Sequence, residues 1–163
     1  MTREERKKLI DQYNDGYRVV AEALAGAKDA DLDARPAPGK WTAREVVHHL
    51  ADSEMTAGIR LRLLVAFDSP TIYGYDQDEF ARRLFYDRPI EASLDAFKAA
   101  RRTTGEILAR MSDADWTRNG SHTEHKGNYT PERWLQIYGP HAHKHAEQIL
   151  VARDAGRKQK AKT

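Results

Sequence analysis

Four stretches of this chain repeat apolar side chains every three or four residues, and none of comparable length alternates as a strand does. In the first, residues 3–28, the stripe is Ile10, Tyr13, Tyr17, Val20 and Leu24. The second, residues 43–67, lines up Val46, Leu50, Ser53, Ala57, Leu61 and Leu64. Its start is marked by Thr42 as cap with Glu45 three residues on, a capping box, and Trp41 precedes the cap where it can staple to Val46. The third, residues 90–111, carries Leu94, Phe97, Arg101, Thr104, Leu108 and Met111, so two polar residues interrupt its apolar face. The fourth, residues 131–154, opens with Thr130 as cap and Pro131 in the first turn. Its face holds Trp134, Leu135, Tyr138, His141, Ala142, His145, Ile149 and Ala152. Pro36, Pro38 and Gly39 break the chain between the first two stretches. Residues 69–89 form a long connection in which DQDEFARRL reads as a short helix, and the polar residues 113–129 read as loop. The expectation is an all-α fold, a four-helix bundle with a short extra helix between its second and third helices.

A length of 163 residues suits one domain with its own core. We place that domain at residues 1–155 and read residues 156–163 as a disordered basic tail. Lys and Arg number 27 against 25 Asp and Glu, so there is no basic footprint for nucleic acid. No apolar run approaches the roughly 20 residues of a membrane span, and MTREERKK has no apolar segment behind its charges. A cytoplasmic protein acting on a small molecule, without nucleic acid or membrane, is the expectation. With no cysteine there is no disulfide and no thiolate site, so a transition metal would rest on His, Asp and Glu.

The seven histidines narrow this further. His141 and His145 are one helical turn apart on the apolar face, whereas His143 points the other way. Two imidazoles so spaced can grip one ion, but Ala142 stands where a zincin helix has its Glu, so the pair brings no general base. Of the adjacent His48 and His49, about 100° apart on a helix, His49 lies closer to the inner stripe and is the better third ligand. Three histidines leave a position open for water or substrate, as in catalytic sites. Asp52 and Gln148 each sit three residues beyond a candidate ligand and could orient its imidazole; Asp52 could equally pair with Arg101. His122 and His125 fall in the loop before the last helix and are read as exposed.

The run Trp41-Thr42-Ala43-Arg44-Glu45-Val46-Val47-His48-His49-Leu50-Ala51-Asp52-Ser53-Glu54 resembles the second-helix signature of the DinB/YfiT-like superfamily. Arg35 to Lys40 fits the segment that leads into it, and Tyr138, His141, His145, Gln148 and Ile149 are similar to its closing motif. The resemblance implies an up-down-down-up bundle, usually dimeric, with zinc, nickel or a similar ion on His49, His141 and His145. Manganese and iron also accept imidazole. It implies either a thiol-dependent transferase, using bacillithiol, mycothiol or glutathione, or a metal-dependent hydrolase. The chain departs from many relatives in having Lys144, rather than a further histidine, before His145. A transferase would place a cation among Arg60, Arg62, Arg82 and Arg83 near the metal for an anionic thiol, and a hydrolase would use Asp52 or Glu54 as base. The alternative is a non-catalytic metal- or ligand-binding stress protein, or an interaction module without metal, because no nucleophile–base set or cofactor loop stands out.

Overall fold

The computed structural model describes residues 1–160. Its long helices are α1 (Arg3–Leu24), α3 (Ala43–Ala66), α5 (Glu91–Leu108) and a broken fourth, α7 (Pro131–Tyr138) followed by α8 (His141–Lys160). Shorter helices α2 (Asp29–Leu32), α4 (Gln77–Arg83) and α6 (Asp113–Trp116) lie in the connections. Thr42 caps α3 through the expected box with Glu45, and Thr130 caps α7 with Pro131 in its first turn.

Cross-helix bonds give the direction of each helix. α3 and α5 run parallel, bonded in step at His48–Ser93, Glu54–Arg101 and Arg62–Thr103. α1 runs parallel to the α7–α8 arm, bonded at Arg6–Glu132, Asp15–His143 and Ala23–Arg153. The two pairs oppose each other, since Arg6 near the start of α1 meets Asp113 just beyond the end of α5. This is the up-down-down-up arrangement. It also accounts for the long second connection: α3 has 24 residues, about 36 Å at 1.5 Å each, and the chain must travel that distance back before a parallel α5 can start.

The structure departs from the sequence reading in several places, among them the short helices α2 and α6 in segments read as loop. The first helix ends at Leu24 rather than near residue 28, because Gly26 turns the chain with a φ of +69°. A three-stranded sheet, β1 (Thr71–Ile72), β2 (Gly120–His122) and β3 (His125–Tyr129), occupies segments read as connection and loop. β1 pairs parallel to β2, which pairs antiparallel to β3. GSH and HKGNY have no apolar alternation, so strand periodicity could not reveal them. They are held by ladder bonds such as Thr123 N to Ile72 O at 3.0 Å, with Ile72 and Tyr129 buried in the core. Lastly, the fourth helix breaks at Gly139 and Pro140. Proline supplies no N–H to the carbonyl four residues back and its ring crowds that position. Beyond the break α8 continues to Lys160, past the end near residue 154 read from the sequence. The last three residues of the basic tail lie outside the described residues.

The core consists of two apolar clusters. One joins α1, α3 and α8 through Val20, Val46, Leu50, Ala142 and Ile149, with Phe97 from α5. The other joins α1, α3, α5 and α7 through Tyr13, Leu61, Leu108 and Trp134. Arg101 lies among them. Its Nη1 donates to Glu54 Oε2 at 2.6 Å, its Nε to the Tyr13 carbonyl at 2.7 Å and its Nη2 to the Tyr138 carbonyl at 3.2 Å. The Tyr13 hydroxyl donates to the other Glu54 oxygen. The partner of Arg101 is therefore Glu54, and Asp52, the partner considered from sequence, accepts from the Tyr86 hydroxyl at 2.7 Å. Asp52 is two residues before Glu54, about 200° around the helix, so only one of them can face α5.

Candidate metal centre

His49, His141 and His145 each offer a nitrogen, and the three nitrogens lie within 4.8 Å of one another. His141 Nε2 and His145 Nε2 are 3.2 Å apart. Two ligands around a tetrahedral ion at 2.0–2.1 Å are separated by about 3.3 Å, so this pair already has the spacing of a shared ion. The His49 ring stands 5.5 Å from that of His141 and 4.7 Å from that of His145, centroid to centroid.

Each ring is fixed from outside the cluster. His145 Nδ1 meets Gln148 Oε1 at 2.8 Å, so Nδ1 carries the hydrogen and Nε2 is left to face inward. The Trp41 ring packs 4.7 Å from His49, and the Tyr138 ring stands edge-on to His141 at 5.7 Å. The break at Pro140 makes His141 the first residue of α8, so the positive end of that helix lies at the cluster.

Protonation follows from burial. His49 is 3% exposed, and burial, with His145 beside it, lowers its pKa to about 3. Burial holds His141 well below the ordinary histidine value, helped by His145 and His49, and lowers His145 against the opposing pull of Gln148. All three are neutral at pH 7, the form that binds metal. His49 Nδ1 is buried without a hydrogen-bond partner. A neutral imidazole with an orphaned buried nitrogen, beside two Nε2 atoms directed at each other, fits a cation and leaves polar atoms unsatisfied without one. Among the described residues this is the only such group of three or more His, Cys, Asp or Glu side chains. An open cleft of about 820 Å³ between the 36–41 loop and α8 reaches His145 and Gln148, with Trp41 in its wall.

The other histidines are placed elsewhere. His48 is fully buried rather than flanking, but it turns toward α5, where its nitrogens meet Ser93 Oγ at 2.8 Å and the Arg88 carbonyl at 3.0 Å. His143 faces α1 and meets Asp15 at 3.3 Å. His125 is exposed, whereas His122, read as exposed, is buried against His125 and Tyr129. Asp52 stands one turn after His49, half-buried, with its carboxylate on Tyr86. Of the candidate arginines, Arg82 and Arg83 are exposed and bonded to Glu79, and Arg62 bonds Thr103 and Thr104. Arg60 is buried and bonds the Tyr138 hydroxyl. Sequence reasoning placed Tyr138 on the inner face without giving it a role at the site; its three-residue spacing from His141 was the available signal.

Fold and cluster together define a helical bundle that gathers three imidazoles across two of its helices. A protein of Oceanobacillus iheyensis named "Putative metal-dependent hydrolase" is 34% identical over 140 residues, covering 86% of this chain and 81% of its own length. YfiT of Bacillus subtilis, which carries the same form of name, is 28% identical over 91% of this chain and 84% of its own. The solved YfiT structure is similar with a TM-score of 0.87 at 27% identity, covering 98% of this chain and 90% of that one. It is described as a probable metal-dependent hydrolase with an unusual four-helix bundle topology. The DinB superfamily matches residues 12–149. The chain belongs to the DinB superfamily.

Proposed function

We propose that this protein is a metal-dependent hydrolase of a small molecule, holding one divalent ion, zinc or nickel, on His49, His141 and His145. The observation that carries the reading is the convergence of three neutral imidazoles beside a cleft that reaches His145 and Gln148. Such an ion, when bound, lowers the pKa of a water or thiol that it ligates and polarises a carbonyl. Gln148 holds the His145 ring in the tautomer whose Nε2 faces the cluster. Asp52, one turn after His49 and held by the Tyr86 hydroxyl, would serve as the base for a water at the cluster. Trp41 and Tyr138 wall the cluster with aromatic surface that limits water. The protein works as a cytoplasmic homodimer in this reading.

A second reading, transfer of a low-molecular-weight thiol to an electrophile, is favoured by Lys40 and Lys144 on the cleft that reaches His145. One experiment separates the two. Chelated and metal-restored protein is offered activated esters and amides, and separately a thiol with an electrophilic probe. The expected result is ester or amide cleavage that needs metal and falls at least a hundredfold in Asp52→Asn with metal content unchanged. Cleavage that survives chelation, or an unaltered Asp52→Asn, contradicts the hydrolase; metal-dependent consumption of thiol alone establishes the second reading.

A further inference from the structure

Among the described residues three arginines are buried: Arg60, Arg101 and Arg153. For two of them the charge is answered within the fold. Arg101 has the Glu54 carboxylate at 2.6 Å. Arg153 donates to the carbonyls of Ala23 and Ala25, at the negative end of α1. Arg60 has neither a carboxylate nor a helix end. Its Nη1 donates to the Tyr138 hydroxyl at 2.8 Å and its Nη2 to the Tyr73 carbonyl at 2.6 Å. Its carbon centre lies 5.6 Å over the Tyr75 ring, and its Nε is buried with no hydrogen-bond partner. Among the described residues no carboxylate is in ion-pair range of it. Asp52 is engaged by Tyr86, and Glu124, at the exposed hairpin tip, lies against Gly74. A guanidinium held out of water with no anion beside it is unfavourable, and an anion docking there relieves it.

The position relates this cation to the metal centre. Arg60 follows His49 by eleven residues on α3, three turns on and within about 20° of the same face. The tyrosine whose hydroxyl it holds is the one whose ring stands 5.7 Å from that of His141.

We propose that Arg60, together with the Tyr138 hydroxyl, is the subsite for a carboxylate on the substrate whose reacting end lies at the three histidines. This rests on the hydrolase reading for the reacting end and adds that the substrate is an organic acid. Two of the five guanidinium N–H groups are used, and the unused Nε–H can act with a terminal N–H as a parallel fork for the two oxygens of a carboxylate. A single uncompensated cation matches one negative charge. A phosphate dianion would bring a second, which the one guanidinium leaves unanswered.

The test uses metal-free, full-length, nitrogen-15-labelled protein, so that it does not depend on activity or loading. The Arg60 Nε–H resonance is followed while chloride is replaced at constant ionic strength by acetate, succinate or inorganic phosphate. The expected result is a saturable shift with acetate and succinate, and binding of phosphate at least tenfold weaker. Arg60→Lys, which keeps the charge and loses the fork, binds succinate at least tenfold more weakly while taking up zinc as the wild type does. Tyr138→Phe, which keeps the ring, weakens succinate binding severalfold. No saturable shift with either carboxylate, tighter binding of phosphate, or unchanged succinate affinity in Arg60→Lys overturns the proposal. Should Arg60→Lys fail to fold, the wild-type titration and Tyr138→Phe decide it. Failure here leaves zinc uptake untouched, whereas failure of wild-type protein to take up zinc overturns the metal reading and leaves the titration standing.

Discussion

The His49 imidazole sits in the inner face of α3 with its pKa lowered to about 3, mainly by burial. In an unfolded chain the same group titrates near 6.5. Between those values the unfolded chain binds a proton that the folded one refuses. Stability is therefore full above about pH 6.5 and is lost as the pH falls toward 3, at about 1.4 kcal/mol per pH unit for one such group. His141 and His145 are shifted in the same direction and add to the slope. Urea unfolding of the metal-free protein at pH 7.5, 6 and 5 should give midpoints that fall steadily, with a shallower fall in His49→Phe. A midpoint independent of pH, or the same slope in His49→Phe, contradicts the burial argument.

At the scale of elements, α1 is drawn against α5 and α8 by Gly16. A Cβ there would lie 2.6 Å from Arg101 Nε and 2.7 Å from the Ala142 Cβ. Alanine in a helix interior is intrinsically favoured over glycine by about 1 kcal/mol, but overpacking a filled site costs about 1–3 kcal/mol. The clash meets a fixed guanidinium and a neighbouring helix, so Gly16→Ala should be destabilising by about 1–2 kcal/mol; a variant as stable as the wild type in chemical denaturation would show that the helices can separate freely. Sequence made the long helices legible because each repeats its inner face every three or four residues and two have clear caps, Thr42 and Thr130. The break at Gly139 and Pro140 was legible by the same rule that broke the chain at Pro36 and Pro38, but the three- and four-residue spacing of Tyr138, His141 and His145 runs through it and masked it. The ligand assignment was accordingly insensitive to the missed kink. The sheet was illegible for another reason: its strands are short and polar, and their partners, such as Thr71 with Ser121, are set by how the bundle brings distant connections together.

On the scale of the whole molecule, Arg101 touches every arm of the bundle: Tyr13 of α1, Glu54 of α3 and the Tyr138 carbonyl at the end of α7, from its own place on α5. Burial pushes the Glu54 carboxyl up while Arg101 and Tyr13 pull it down, so the acid depends on its partner for its charge. Arg101→Ala leaves that acid buried with the Tyr13 hydroxyl but no cation, and should lower unfolding stability by about 3–5 kcal/mol, read from denaturant midpoints; a loss under 1 kcal/mol would contradict a structural role for the pair. The sequence marked Arg101 as a polar residue in an apolar stripe and offered Asp52 as its partner, whereas the partner is Glu54, because two side chains on one helix are distinguished only once the facing helix is placed. The same bundle geometry brings α3 and α8 together, and with them the three imidazoles. The most direct measurement is a zinc titration, by calorimetry with elemental analysis, of protein purified without a metal column. One ion per chain in the wild type, and binding at least a hundredfold weaker in His49→Ala, is the predicted result; no bound ion in the wild type, or unchanged affinity in His49→Ala, contradicts the account.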